Sequence, residues 1–168
     1  MADRLVRVAD DLEVQLGDLR PAERTALFEL FAAVVERNEG FPEAAPLTEA
    51  DFEAAWGTHL TAVVAVRVEG ALVGAYSLKP NFLGRAAHVA NAGYVVGSPW
   101  RRKGIGRAMV EDSMAEARRH GFDALQFNLV FASNPARRLY EALGFEQTGR
   151  VPAAVDGEDA YIYWRSLL

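Results

Sequence analysis

The chain has 168 residues, a length that suits a single domain able to bury about two-thirds of the surface its unfolded chain exposes. Acidic residues outnumber basic ones by 23 to 18, and the resulting charge of −5 argues against a protein whose main task is to coat nucleic acid. Cysteine is absent, which excludes disulfides, thiolate nucleophiles and cysteine-bound zinc. We therefore expect one domain over residues 1–168, with no nucleic acid as a partner.

The N-terminal segment MADRLVRVADDLEV has neither the cationic start nor the unbroken apolar run of a signal peptide. No run of about 18 apolar residues occurs anywhere in the sequence. These features predict a soluble, cytoplasmic protein with no membrane partner. The three histidines, His59, His88 and His120, lack the spacing of metal ligands, so we expect no metal.

In chain order, weak alternation of apolar residues predicts a first strand over residues 13–19. Pro21 suits the first turn of a helix, which apolar residues at helical spacing extend to about residues 38–40. Thr48 and Asp51 are spaced as a capping box, which predicts the start of a short second helix.

Two segments rich in β-branched residues, 61–68 and 71–78, flank a Glu-Gly turn and predict a hairpin. The segment 87–96 is nearly free of charge, which favours a strand at the centre of a sheet. Apolar residues at helical spacing then predict a helix over 104–120, which Gly121 terminates.

The remaining elements are a strand over 122–131, a short helix over 135–143, and two final strands over 145–150 and 160–167. Together the predicted elements indicate a mixed sheet with helices, in an α/β or α+β fold.

The segment SPWRRKGIGRAM, residues 98–109, lies where the predicted central strand ends and a helix begins. Unpaired N–H groups and the helix dipole favour an anion there, and glycines allow it to approach the backbone closely. A P-loop is excluded because its Gly-x4-Gly-Lys-Ser/Thr string is absent. A dinucleotide fingerprint is excluded because Met109 stands where a third glycine is needed. Taken alone, the segment also fits a solvated helix start.

The pattern Arg101-x-x-Gly104-x-Gly106 after a strand resembles the acyl-CoA-binding signature of the GCN5-related N-acetyltransferase (GNAT) family. A helix closing in ARRHGF and the block NLVFASNPARRLYEALGF extend the resemblance, and the predicted order of elements is the family's order. The resemblance implies the GNAT acyl-CoA N-acyltransferase fold. In that α/β (α+β) fold, a mixed, mostly antiparallel central sheet of about seven strands splays at the cofactor site, with about four helices.

The cofactor that the resemblance implies is acetyl-CoA (coenzyme A). Backbone amides of residues 102–107 would wrap its pyrophosphate, and the main chain of residues 94–96 would pair with its pantetheine arm and polarise the thioester carbonyl. Asn134 or Ser133 would contact the pantetheine, while Arg137 and Arg138 would reach the 3′-phosphate or face water. The implied cofactor-binding residues are Tyr94, Val95, Val96, Arg101, Arg102, Lys103, Gly104, Ile105, Gly106, Arg107, Asn134, Arg138 and Tyr140.

Tyr140 matches the family's tyrosine that hydrogen-bonds the cofactor sulfur and protonates the departing thiolate. Otherwise it would be a core aromatic residue. The phenol pKa of about 10 exceeds the thiol pKa of about 8.5, so full proton transfer is slightly uphill in water. Tyr140 is therefore expected to act as much by donating a hydrogen bond as by acting as a full acid.

The acceptor amine must lose a proton, and the strand over 87–96, where the family often supplies a carboxylate, has none. The candidate bases are His88 and Asn91 in this strand, and Glu36 and Glu39 near the end of the first helix. A water-relayed base and capture of the neutral amine remain open. Of these side chains, we expect Glu39 and His88 to join Tyr140 as catalytic residues.

The elements that flank the acceptor pocket in the family carry Tyr76, Phe82 and Asn128, the expected substrate-binding residues, and Trp56. The resemblance implies an acetyl-CoA-dependent N-acetyltransferase for a small-molecule amine, such as an amino acid or analogue, a polyamine or an antibiotic. A protein N-terminal or lysine acetyltransferase and a non-catalytic acyl-CoA-binding regulatory domain are the alternatives. Many relatives are homodimers, and we expect a homodimer here; the run AYIYWRSLL suits either a core strand or a dimer edge.

Overall fold

A computed structural model describes residues 3–9 and 11–168. Within these residues the chain forms eight strands and four α-helices. The strands are β1 Arg4–Ala9, β2 Leu12–Asp18, β3 Ala62–Val68, β4 Ala71–Pro80, β5 Val89–Val96, β6 Ala124–Phe131, β7 Glu146–Val155 and β8 Glu158–Ser166. The helices are α1 Arg24–Glu36, α2 Glu49–Trp56, α3 Ile105–Arg119 and α4 Ala136–Ala142. Across the described residues, no helix is long and apolar enough to cross a membrane.

All strands belong to one sheet in the order β1-β2-β3-β4-β5-β6-β8-β7. Neighbouring strands are antiparallel except β5 and β6, which are parallel. The prediction of a mixed, mostly antiparallel sheet in an α/β (α+β) fold is therefore confirmed. The charge-poor strand β5 lies between β4 and β6, as its composition predicts.

The expected number of about seven strands is too low by one, because the sequence analysis missed β1. This strand pairs with β2 at the edge of the sheet, and its residues alternate between half-buried and exposed. Leu5 lies on the exposed side, with 67% of its surface accessible. An edge strand with one exposed face shows only a weak apolar pattern.

The start of α1 differs slightly from the prediction, whereas the start of α2 agrees with it. Pro21 begins a short 3-10 turn, and α1 starts three residues later at Arg24. At α2 the capping box is present, since Asp51 N donates to Thr48 Oγ1 at 3.1 Å and Thr48 N donates to Asp51 Oδ2 at 3.3 Å.

The two faces of the sheet pack on different helices. On one face, α1 and α2 cover β3 to β5 with a core that includes Phe31, Trp56 and Val95. On the opposite face, α3 and α4 pack on side chains that include Tyr76 and Phe127. Because side chains alternate along a strand, neighbouring residues of β4 and β5 belong to different faces.

The C-terminal run 160–168 lies mostly in β8, between β6 and β7. It is a core strand, and β7 is the edge strand on that side of the sheet.

Candidate active site

The sheet opens between its central strands β5 and β6. They pair only where Val89 lies opposite Ala124 and Ala90 lies opposite Leu125. Beyond this point β5 continues to Val96 with no partner strand on that side among the described residues. The side chain of Asn91 donates to the carbonyl of Gln126 at 2.9 Å, at the point where the gap begins.

Hydrogen bonds at the two ends of β5 show which of its main-chain groups face the gap. Val89 O accepts a bond of 2.7 Å from the residue after β4, and Gly97 N donates one of 2.9 Å to a carbonyl of β4. The odd-numbered residues of β5 therefore bond to β4, since the register between the two strands has no shift. By alternation, the N–H and C=O groups of Ala92, Tyr94 and Val96 point into the gap.

Because of this alternation, only two of the three β5 residues that were expected to bind the cofactor present their main-chain groups to the gap. Tyr94 and Val96 present main-chain groups to the gap, although Val96 O already accepts a bond of 3.3 Å from Arg101 Nε. The main chain of Val95 bonds instead to β4, and its side chain is buried beneath α1. Ala92, which the sequence analysis did not name, takes the third position.

Helix α3 begins at one end of the gap. Gly104 precedes it with φ of +85°, and Arg102 also has a positive φ of 61°. A side chain at Gly104 would place its Cβ 2.6 Å from Val8 O, so β1 packs tightly against this loop. Positive φ values in this loop turn successive N–H groups toward one side, and the first N–H groups of a helix have no intrahelical partner.

Gly106 lies in the first turn of α3 and lines the gap. A Cβ atom there would meet no described protein atom closer than Leu139 Cδ2, at 3.8 Å. The protein therefore leaves room for a group that approaches the amides closely. Unpaired amides, the helix dipole and the side chains of Arg101 and Arg102 together suit a diphosphate. The loop thus fits the pyrophosphate of coenzyme A.

A cleft of about 1000 Å³ passes through the gap and reaches both faces of the sheet. Its walls come from the end of α1, the α1–α2 loop, β4, β5, β6, the start of α3 and α4. Of the predicted site residues, it is lined by Glu39, Tyr94, Val95, Val96, Arg101, Arg102, Gly106, Asn128, Asn134 and Tyr140.

Tyr140 lies on α4 with only 7% of its surface exposed. Its ring packs against Phe127, at 4.5 Å between centroids, and against Phe145 at 5.8 Å. In the part of the chain that the structure describes, its hydroxyl has no hydrogen-bond partner. Burial raises the pKa of Tyr140 well above the ordinary phenol value, so the hydroxyl stays protonated and available to donate.

The α1–α2 loop crosses the other side of the cleft. Glu39 pairs with Arg101 at 2.5 Å and with Arg37 at 2.9 Å, which joins this loop to the loop before α3. A Cβ atom on Gly40 would lie 3.7 Å from Asn134 Nδ2, so the same loop also reaches the start of α4. Arg101 first, and then Arg37, lower the pKa of Glu39, which makes it a weak proton acceptor. Its expected role as the base is not supported.

The wall facing α1 and α2 is polar where it meets the gap. Lys79 and Asn91 are cross-strand neighbours on β4 and β5, and both line the cleft. Asn128 on β6 also lines it, and its amide exchanges hydrogen bonds with that of Asn81. Among the described residues, Lys79 forms no ion pair. This wall offers amide groups and one cation to an acceptor.

Three predicted site residues lie away from the cleft. Tyr76 is fully buried on the α3 face, where its hydroxyl donates to Asp112 Oδ2 at 2.6 Å. Phe82 is 45% exposed in the loop after β4, and does not line the cleft. His88 is exposed before β5, and its ring nitrogen lies 3.2 Å from a backbone carbonyl, that of Arg85. None of the three is placed for the expected role, and on β4 Ser77 and Lys79 take the position expected for Tyr76.

Other predicted site residues lie near the start of α4 and the end of α1. Asn134 and Ser133 both line the cleft, but Asn134 Oδ1 already accepts a bond of 2.9 Å from Ala136 N in an Asx turn just before α4. Arg137 packs over the ring of Tyr161 at 4.2 Å, outside the cleft. The predicted residues that remain do not line the cleft: Glu36, Trp56, Lys103, Gly104, Ile105, Arg107 and Arg138. Three of them, Gly104, Ile105 and Arg107, nevertheless belong to the loop and first helical turn that carry the unpaired amides.

Besides Lys79 on β4, sequence reasoning missed a second charged residue of the cleft, Glu43. It lies in the Gly- and Pro-rich α1–α2 loop, and its Oε2 atom is buried without a hydrogen-bond partner among the described residues. No periodicity or motif marks a single carboxylate in such a loop.

A splayed sheet, an anion-binding helix start and a buried tyrosine in one cleft define the acyl-CoA acyltransferase class of fold. The sequence profile of the acetyltransferase (GNAT) family matches residues 26–145. That match covers more than half of the chain, and the chain belongs to this family. Acetyl-CoA is the acetyl donor of the family, as predicted.

Three relatives show how far the similarity extends. The N-acetyltransferase aca1 of Schizosaccharomyces pombe is 42% identical over 99 residues, which cover 55% of this chain and 47% of that protein. Protein SPT10 of Saccharomyces cerevisiae is 28% identical over 172 residues, which cover 86% of this chain and 27% of that protein. The chain thus spans less than half the length of either protein. The structure of a GCN5-related N-acetyltransferase from Kribbella flavida, 29% identical, superposes with a TM-score of 0.83 over 91% of this chain and 97% of that chain.

Proposed function

We propose that the protein transfers the acetyl group of acetyl-CoA to a primary or secondary amine of a small molecule. The amino acids and their analogues, the polyamines and the amine-bearing antibiotics are the candidate acceptors. The observation that carries the proposal is one continuous cleft. It joins the amides before α3, the open edge of β5 and the free hydroxyl of Tyr140 to a polar wall on the opposite face.

Acetyl-CoA supplies an acetyl group activated as a thioester. On this chain, the amides at the start of α3 would hold the pyrophosphate, with Arg101 and Arg102 adding positive charge. The main-chain groups of Ala92 and Tyr94 in the gap would pair with the pantetheine as a neighbouring strand does. An N–H group there would also stabilise negative charge on the thioester oxygen during attack.

Tyr140 would donate a hydrogen bond to the sulfur as it leaves. Its pKa is raised by burial, so proton transfer to a thiolate is further uphill than it is in water. This difference favours stabilisation of the thiolate by a hydrogen bond over complete transfer of the proton. The thiolate then takes its proton from the amine side or from solvent, and Tyr140 keeps its own.

The position of the α1–α2 loop favours a small acceptor over a large one. Through Glu39 it is tied to Arg101, and through Gly40 it lies beside Asn134, so it crosses the cleft on the acceptor side. Such a crossing narrows the space for an extended peptide. A protein acceptor is the second candidate, because the loop after β4 exposes Phe82 and, at 89%, Leu83, which suit contact with a macromolecule.

Release of free thiol from acetyl-CoA tests the proposal. The panel contains glycine, L-methionine, β-alanine, putrescine, spermidine, kanamycin and a lysine-containing peptide, and calorimetry measures acetyl-CoA binding in parallel. We expect saturable turnover with at least one small amine. Turnover with the peptide alone would favour the second candidate. Binding of acetyl-CoA without turnover of any amine would contradict both and favour the non-catalytic acyl-CoA-binding domain.

A further inference from the structure

Glu43 is a charged group of the cleft that no described residue neutralises. Its side chain is half-buried, and its Oε2 atom is fully covered without a hydrogen-bond partner among residues 3–9 and 11–168. It also forms no ion pair within this part of the chain. Glu39, four residues earlier in the same loop, is held by Arg37 and Arg101. A covered carboxylate oxygen without a donor is costly, and such groups are rare in native proteins except where a catalytic role, a ligand, an ion or water accounts for them.

Packing of the loop places Glu43 close to the opening in the sheet. The ring of Phe41 is anchored against Phe31, with centroids 4.9 Å apart, beneath α1. On its other side, a Cβ atom on Gly93 would lie 3.4 Å from Phe41 Cε1. Gly93 lies between Ala92 and Tyr94, two of the residues whose main-chain groups face the gap. Two residues of chain span at most about 7 Å, so Glu43 lies within that distance of Phe41 along the backbone.

The chemistry of the acceptor supplies the missing partner. An alkyl amine is a cation at neutral pH, with three N–H donors and no free electron pair for attack. A carboxylate binds such a group by a charge-assisted hydrogen bond and can take its proton.

We propose that Glu43 binds the ammonium group of the acceptor and accepts its first proton, an inference that rests on the proposed function. The proton moves from nitrogen to the carboxylate, and the freed electron pair forms the C–N bond to the thioester carbon. The C–S bond then breaks, and its electron pair leaves on sulfur, which ends as the thiol of coenzyme A. The nitrogen loses its second proton to the thiolate, directly or through solvent, and Glu43 returns its own proton to solvent. One acetylated amine, one thiol and one free proton result.

The test compares Glu43→Gln, Glu43→Asp and the control Glu29→Gln, an exposed glutamate on α1 outside the cleft. The probe is the panel amine with the largest wild-type kcat/KM. We expect Glu43→Gln to lower kcat/KM for that amine about 100-fold, the usual contribution of a positioned proton acceptor. The aspartate variant should recover part of the loss. Neither variant should change acetyl-CoA affinity in calorimetry, which also reports that the cleft is folded.

Two results would overturn the inference while leaving the proposed function in place. One is a kcat/KM of Glu43→Gln that equals the kcat/KM of an active wild-type enzyme. The other is an equal loss in Glu43→Gln and Glu43→Asp together with weaker acetyl-CoA binding, which would mark Glu43 as a residue that only holds the loop. If the wild-type protein acetylates no amine, the proposed function fails and the inference fails with it.

Discussion

At the scale of single residues, Tyr140 shows how burial sets the role of a side chain. Its ring packs among other aromatic rings, the residue lines the cleft, and its hydroxyl has no hydrogen-bond partner in the described part of the chain. A phenol in this position can donate a hydrogen bond but is a poor anion, because desolvation raises its pKa.

Replacement of Tyr140 by Phe should therefore lower kcat without weakening acetyl-CoA binding. The expected loss is about 100-fold, since the departing thiolate loses its donor while the amides at α3 remain. Stopped thiol-release assays give kcat, and calorimetry gives the dissociation constant. A large fall in affinity with unchanged kcat would show that Tyr140 holds the cofactor and does not assist the leaving group.

The raised pKa of Tyr140 also predicts the alkaline side of the pH profile. The group acts in its protonated form, and that form persists up to a pKa above the ordinary value of about 10. Hence kcat should show no decline attributable to this phenol between neutrality and about pH 10. A decline present in the wild type near pH 8 to 9 and abolished in Tyr140→Phe would contradict the assignment.

The predictions for residues of β4 and β5 depended on which face of the sheet each side chain occupies. Sequence patterns located β4 and β5 but not which residues of each face the gap, because a shift of one residue moves every side chain to the other face. Tyr76 was therefore assigned to the acceptor side, although Ser77 and Lys79 occupy it. Glu43 could not be predicted, since its position depends on Phe41 packing among residues of α1 far from any local motif.

At the scale of elements, the start of α3 combines two glycines with different physical roles. Gly104 is required by its positive φ and by contact with Val8 of β1, so the fold needs it. Gly106 is in helical backbone with open space beside it, so the fold does not. Both glycines were found from one short motif, because the positions depend on local backbone chemistry.

The substitutions Gly104→Ala and Gly106→Ala should separate folding from binding. Gly104→Ala should lower the unfolding free energy by about 1–3 kcal/mol through backbone strain. Gly106→Ala should leave it unchanged or raise it by up to about 1 kcal/mol, since alanine favours helix. The same variant should weaken acetyl-CoA about tenfold or more, because its methyl group fills the space beside the amides.

Urea unfolding and calorimetry check this pair of variants. Unchanged acetyl-CoA affinity in Gly106→Ala would show that the pyrophosphate does not lie at this turn. A fully stable Gly104→Ala would show that the loop before α3 adapts without its left-handed residue.

At the scale of the whole molecule, the edge of the sheet depends on a buried ion pair. The guanidinium of Arg67 on β3 is fully buried, and its Nη2 donates to Glu23 Oε2 and to Asp18 O, each at 2.8 Å. Glu23 lies in the turn before α1, so this pair joins the helix layer to β2 and β3. Arg67 is the main cause that lowers the pKa of Glu23.

Replacement of Glu23 by Gln should lower the unfolding free energy by about 3 kcal/mol at pH 7, because a buried guanidinium loses its nearest charged partner. A carboxyl whose folded pKa is lowered contributes its full stability above the unfolded pKa of about 4.3, and loses it as pH falls through the folded pKa. The difference between wild type and variant should therefore shrink toward pH 3. Urea titrations at both pH values measure it, with Glu29→Gln as the exposed control.

A difference in unfolding free energy between wild type and Glu23→Gln that stays the same at pH 7 and pH 3 would contradict the linkage to Glu23.

In the same titrations, one cooperative transition is expected if residues 1–168 form one domain. Light scattering should give twice the chain mass of 18.4 kDa if the expected homodimer forms.

Transfer of an acetyl group from acetyl-CoA to an amine is the central claim, and product analysis tests it most directly. Acetyl-CoA labelled with carbon-13 in its carbonyl is mixed with protein and a panel amine, and carbon NMR is recorded beside a thiol assay. We predict that a labelled amide resonance grows in step with free coenzyme A, one amide for each thiol. Release of thiol with labelled acetate in place of the amide, or no release with any amine, would contradict the claim.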